Sequence, residues 1–254
     1  MATYKKRGNK PQTKEEKKDA IEAQSATAEV FNTLDEGASK TEEWVAKNQK
    51  YIIIVVGIIA VAVLGYLAFQ EYVQKPKQLE ASNEMFQAQS YFEQALNASE
   101  KDSLFQLSLK GGQGKYGFLD IIENYSSTDA ANLSRYYAGM AYLNLKNYKE
   151  AISYLDAFKS DDIILGPMAK GAIGDAFVQL KQNEEALKYY KQAASMNDNE
   201  FTTPKYLLKA AIIALQLNNA KEALIHLNKI KTEYPTALEA NQLEMHIGKA
   251  EAML

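Results

Sequence analysis

The sequence contains no cysteine, which excludes disulfide frameworks, thiolate-bound zinc and thiol nucleophiles together. Histidine is nearly absent as well. His226 and His246 lie too far apart to place two imidazoles on one helical face, the spacing that builds a helical metal site. There is no excess of positive charge either: the formal net charge is −3, so no basic field exists to hold phosphates, and nucleic acid is not an expected partner. A glycine-rich stretch at Gly111-Gly112-Gln113-Gly114-Lys115 has the look of a phosphate cradle. Tyr116 stands where the hydroxyl residue is required, and no strand pattern precedes it. The acid pairs Asp161-Asp162 and Glu184-Glu185 read as solvated turn and helix-start charges. With no nucleophile, metal cluster or nucleotide loop, the expectation is a protein that is not an enzyme and takes no cofactor.

What the chain does have is apolar residues, 46% of 254, enough for one substantial domain and additional segments. The most concentrated run is Tyr51 to Phe69, YIIIVVGIIAVAVLGYLAF, which carries no charge. At 1.5 Å per residue a helix of that length nearly spans a hydrocarbon core of ~30 Å. Trp44 and Tyr51 sit at one end and Tyr66 and Tyr72 at the other, where amphipathic rings favour the headgroup level. The run starts fifty residues in and exits through Gln70-Glu71-Tyr72, so it reads as an uncleaved anchor rather than a signal peptide. Gly57 and Gly65 lack the spacing that brings two spanning helices into close contact. Near the span, Lys40, Lys47 and Lys50 precede it and Lys75 and Lys77 follow, which by the positive-inside rule puts the N-terminus in the cytoplasm.

Residues 1–50 form the expected cytoplasmic tail. Met1 to Gln12 is basic and polar and is expected to be disordered. Thr13 with Glu16 has the form of a capping box opening a helix, with Ile21, Ala28, Phe31 and Leu34 on a thin apolar stripe. Asp35-Glu36-Gly37 is expected to end that helix, and a second box, Ser39 with Glu42, to open another that runs into the membrane.

Residues 70–254 show apolar positions at helical spacing throughout and an internal period in the mid-thirties, which predicts an all-α domain of stacked helix hairpins. Three stretches align: 132–165, 167–199 and 204–235. Gly139, Gly174 and Ala211 recur on the first helix of each, and Ala151, Ala186 and Ala223 on the second, each following an Asn-rich turn. Small residues at both places let two antiparallel helices approach. Compared with the tetratricopeptide pattern that these spacings resemble, Phe158 stands where a small residue is usual and Ala214 at an aromatic position. A degenerate repeat is expected at about 79–126, with a helix from Leu79 to Ala98, a long loop, and a second helix through Gly117-Phe118-Leu119-Asp120-Ile121-Ile122-Glu123. A helix at 236–253 is expected to cap the stack. Asp102-Ser103-Leu104, expected in an exposed loop, matches a three-residue acceptor for O-linked sugar.

With these spacings the sequence resembles the tetratricopeptide repeat (TPR) family. The resemblance implies an α-solenoid whose inner face binds protein. Carried over position by position, that groove comprises Tyr136, Met140, Leu143 and Asn144, then Asp175, Val178 and Gln179, then Lys205, Leu208, Ile212 and Leu215. It is mostly apolar, which points to an extended or helical apolar segment as ligand; packing of Leu208, Ile212 and Leu215 against the cap helix is the competing reading.

A short tail, one span and an exported TPR domain also resemble the YfgM-like family of bacterial inner-membrane proteins, and Gly117 to Ile122 with Tyr136-Tyr137-Ala138-Gly139 look like members from Bacteroidota. That resemblance implies a single-pass inner-membrane protein with a periplasmic C-terminal domain. Its implied partners are the SecYEG translocon, a PpiD-like chaperone, exported polypeptides and membrane lipid. The implied role is to assist emerging chains or recruit periplasmic chaperones; a general scaffold for envelope assembly or division is the alternative.

Overall fold

A computed structural model describes residues 13–254, with every side chain from Thr41 onward. The expectation for Met1 to Gln12 lies outside the described residues, as do the side chains of Glu16 and Ser39 on which the two capping boxes depend. The chain divides into two units, Met1–Phe69 and Gln70–Leu254.

In the first unit, α1 spans Lys14–Phe69 without a break. The expected stop at Asp35-Glu36-Gly37 is therefore overturned, since a single glycine inside a helix costs only about 1 kcal/mol relative to alanine. No residue of its apolar window is buried. Ile53, Ile58, Ile59 and Leu67, which point in different directions round the helix, are all exposed. In water each such side chain forgoes about 1.5–3 kcal/mol of transfer energy, whereas lipid is a matching solvent for a helix apolar on every side. This helix is a candidate membrane anchor.

The second unit is helical throughout, and among its residues the one β-bridge is Gly112 with Lys115. It opens with a π-helical segment, Gln70–Gln74, then α2 (Lys75–Asn97), α3 (Lys101–Lys110) and α4 (Phe118–Asn124). Two expectations fail here. The stretch after Ala98 is not a long loop but contains α3, whose Phe105 and Leu109 enter a core with Phe92, Phe118 and Ile121. Asp102 and Ser103 accordingly lie in the first turn of a helix. The glycine-rich stretch makes a two-residue turn, with Gln113 and Gly114 both at positive φ and Gly112 and Lys115 exchanging backbone hydrogen bonds of 3.2 and 3.0 Å. That is hairpin geometry, not a phosphate loop.

Three hairpins follow: α5 (Asp129–Asn144) with α6 (Tyr148–Ala157), α7 (Leu165–Gln179) with α8 (Asn183–Met196), and α9 (Thr202–Gln216) with α10 (Ala220–Glu233). Each is closed by the same device. Lys146, Lys181 and Asn218 take positive φ values of 62, 59 and 57°. The next N–H in each case bonds to the carbonyl five residues back: Asn147 to Tyr142, Gln182 to Phe177 and Asn219 to Ala214, at 2.8 to 2.9 Å. This satisfies the helix-end carbonyls and reverses the chain.

Between paired helices the spacing is set by absent side chains. A Cβ on Gly139 would lie 2.5 Å from Cγ of Leu155, and one on Gly174 would lie 2.6 Å from the Tyr190 ring. Ala151, Ala186 and Ala223 are all fully buried. Phe158, at the unusual position, ends α6 early in extended conformation and packs its ring 5.4 Å from Tyr136. The expected single cap helix is divided into a 3₁₀ turn, Leu238–Gln242, and α11, Leu243–Glu251.

Candidate protein-binding groove

The first helices of the hairpins touch one another, α5 with α7 and α7 with α9, and α9 then meets the 3₁₀ turn. They form one layer. The second helices lie behind it, each packed on the first helix of the next hairpin. Local anchoring fixes where each front helix begins. Thr128 Oγ1 accepts the Ala131 N–H at the start of α5. Asp162 accepts the N–H groups of Ile164 and Leu165 at 2.8 Å before α7, and these bonds hold its carboxyl below the usual range. Asn199 Oδ1 accepts from Phe201 and Thr202 before α9, while its amide nitrogen donates to Ile163 O.

Of the eleven residues assigned to the groove, three are not available to a ligand. Tyr136 is 7% exposed and sits in a core with Leu155, Phe158 and Ile173. Leu208 and Leu215, at 7% and 4%, share a core with Leu243 and Ile247, against which Ala237 and Ala240 pack. Closing the end of the stack draws these leucines inward, because burying each contributes about 1.5–3 kcal/mol. Met140, Leu143, Val178 and Ile212 are half-buried, as are Asp175 and Lys205, and Asn144 and Gln179 are exposed.

At the centre of the layer is a cluster of polar and aromatic groups. Asp175 accepts a hydrogen bond of 2.5 Å from the Tyr190 hydroxyl and one of 2.6 Å from Lys209 Nζ. Lys209 Nζ lies 5.4 Å from the centre of the Tyr190 ring and 5.9 Å from that of Tyr206, and the two rings stack at 6.3 Å. Tyr206 fills the space over Gly171, where any Cβ would overlap its ring. Burial, then the charge of Asp175, pushes both phenols well above their ordinary value, so they remain neutral donors. Asp175 and Lys209 neutralise each other, and Lys205 Nζ lies 5.8 Å from the centre of the Tyr206 ring.

The buried Tyr190 and Tyr206 and the half-buried Lys209 build this cluster, and Gln216 is exposed on α9; none of the four was assigned from the sequence. Gln216 was within reach: Asn144, Gln179 and Gln216 follow the spacing of Ala151, Ala186 and Ala223, and all three are exposed. Lys209 lies one turn beyond Lys205, but its pairing with Asp175 depends on how two hairpins stack. Among the described residues no group of three or more His, Asp or Glu side chains is placed to hold a metal.

Tetratricopeptide repeat families match residues 172–237 and residues 133–162. The chain carries tetratricopeptide repeats. The matched segments take in most of α5, all of α6, the second half of α7 and all of α8 to α10, and stop short of α2 to α4 and of α11. No curated protein matches the chain. Such repeats suggest a protein-interaction module.

Proposed function

We propose that this chain is a membrane-anchored TPR adaptor on the exported side of a bacterial inner membrane, working beside the SecYEG translocon. It would receive emerging polypeptide or recruit a PpiD-like periplasmic chaperone. The observation that carries the reading is one chain holding both a TPR surface and a helix whose nineteen apolar residues, 51–69, are uncharged and lack any buried side chain in their apolar window. Anchoring raises the local concentration of the TPR surface at the membrane, so affinity for each client can stay weak. The accessible part of the groove suits a chain read with little sequence preference. Met140, Leu143, Val178 and Ile212 offer apolar contact. Asn144, Gln179 and Gln216 place one exposed amide on each front helix, and an amide can both donate to and accept from a peptide backbone. Neutralisation of Asp175 by Lys209 removes one charge that would select for sign.

The test is affinity purification of the full chain after mild solubilisation. Translocon subunits are expected in the eluate, and photo-crosslinkers at Met140 and Ile212 are expected to capture exported polypeptides. Repeated purification without any translocon subunit rejects the assignment. Protease protection of residues 70–254 in sealed cells decides the orientation: digestion from the cytoplasmic side alone would reverse it.

A further inference from the structure

The stacked hairpins have two edges, and the two differ in what they expose. The edge made by the turns within hairpins exposes polar residues: Lys146 and Asn147, Lys181 and Gln182, Asn218 and Asn219. The leucines of those turns, Leu145, Leu180 and Leu217, are half-buried. The edge made by the connections between hairpins instead leaves large apolar side chains in solvent, with Ile163 57% exposed, Phe201 61% and Leu238 82%.

Hydrogen bonds tie this second edge into one strip. Asn132 bonds both backbone groups of Lys159, Asn199 Nδ2 donates to Ile163 O at 3.1 Å, and the Tyr234 hydroxyl donates to Asp198. Phe201 is displayed from a fixed loop, because its N–H is bonded to Asn199 Oδ1 at 2.9 Å. Leu238 follows Phe201 by the interval that separates Ala186 from Ala223. The strip begins at α2, where Gln78 Oε1 accepts the Asp129 N–H at 2.9 Å. Gln78 is only nine residues beyond Phe69, the last residue of the uncharged run. Residues 70–78 are helical and cover about 14 Å at about 1.5 Å per residue. That covalent link keeps the start of the strip beside the headgroup layer of any bilayer that the run 51–69 crosses.

We infer that this edge rests on a phospholipid surface, with Ile163 and Phe201 entering the headgroup layer. Exposed apolar patches mark protein or membrane contacts, and the short link to the apolar run selects the membrane here. The strip is acidic: Asp161, Asp162, Asp198 and Glu200 outnumber Arg135 and Lys159, which line one cleft on it. A zwitterionic phospholipid therefore suits it, and anionic lipid opposes it. The inference rests on the membrane-anchor reading but not on what the groove binds.

The absence of cysteine allows one reporter at a time. The full chain with Glu200→Cys, labelled with an environment-sensitive dye, is reconstituted in phosphatidylcholine vesicles that contain phosphatidylcholine spin-labelled near the headgroup. Gln182→Cys, on the polar edge, is the reference, and Val61→Cys, in the apolar run, reports on the anchor itself. Quenching at position 200 is expected to be at least twice that at 182. It should fall to the reference level when Ile163→Ser and Phe201→Ser are added, with the melting point unchanged because both side chains are exposed, and it should weaken when phosphatidylglycerol replaces part of the phosphatidylcholine. Quenching at 61 with only reference quenching at 200 overturns this inference and leaves the anchor standing, whereas a label at 61 that lipid does not quench refutes the anchor. A label at 200 that is blue-shifted but unquenched overturns the inference by placing the edge against protein. Quenching that does not fall with the paired substitution, or with phosphatidylglycerol, overturns it too.

Discussion

The second and third hairpins share their offsets, yet they differ where two aromatic rings meet. In α7 and α8, Phe177 stacks on Tyr189 at 5.3 Å, as Tyr142 does on Tyr154 in the preceding hairpin at 5.4 Å. The corresponding residues of α9 and α10 are Ala214 and His226. Ala214 is fully buried, and the His226 Nε2 is buried without a hydrogen-bond partner, 3.8 Å from Glu222. The hairpin survives loss of the ring pair because its closure depends on the small-residue positions and the turn, which both hairpins keep. What changes is that a titratable group replaces an apolar contact.

Filling the small position should therefore do the most damage. Gly174→Leu drives a side chain into the Tyr190 ring and is expected to cost about 3 kcal/mol, read as a drop in the denaturation midpoint. An unchanged midpoint would mean that α7 and α8 can separate freely. Breaking the ring pair comes next: Phe177→Ala should cost about 2 kcal/mol, less than a fully buried phenylalanine because the site is half-buried. Ala214→Gly, at the matching point of the third hairpin, should cost about 1 kcal/mol. Equal losses would show that the stack contributes nothing beyond one alanine's worth of helix propensity.

The third hairpin should also be the pH-sensitive one. Burial pushes His226 below its ordinary 6.5, with Lys191 and Lys229 adding to the effect and Glu222 opposing it. The folded state thus binds fewer protons than the unfolded state in the window between that lowered value and 6.5. Stability is complete above the window and falls as pH drops through it. His226→Leu should flatten urea midpoints measured across that range. Some slope remains, because burial and Lys249 also lower His246. A slope unaltered by the substitution would show that His226 does not titrate with unfolding.

Much of this architecture is legible in the sequence because a repeat writes its packing as spacing. Gly139, Gly174 and the alanines of the second helices mark where backbones approach, and the helices lie where that pattern puts them. Legibility fails where contacts are unique to one place. The α3 helix lies among apolar residues with no repeat partner, so Phe105 and Leu109 gave no periodic signal. Tyr136, Leu208 and Leu215 occupy groove positions by register, but burial at each is decided by neighbours specific to that site, Phe158 in one case and the 3₁₀ turn with α11 in the other. The Asp175 and Lys209 pair joins residues from two hairpins, and no single-hairpin pattern contains it.

The smallest difference between the two hairpins lies in the turn. Lys181 and Asn218 both hold left-handed backbone, a conformation that costs an ordinary L-residue about 1–2 kcal/mol and asparagine less, because its short amide bonds locally. Lys181→Gly removes that strain but adds freedom to the unfolded chain. The balance is expected to raise stability by about 0.5–1 kcal/mol. Asn218→Gly starts from less strain and should gain only a fraction of this. Chemical denaturation of the two single variants resolves the difference, and a larger gain at Asn218 than at Lys181 would mean that the turn of the third hairpin is the more strained, reversing the comparison.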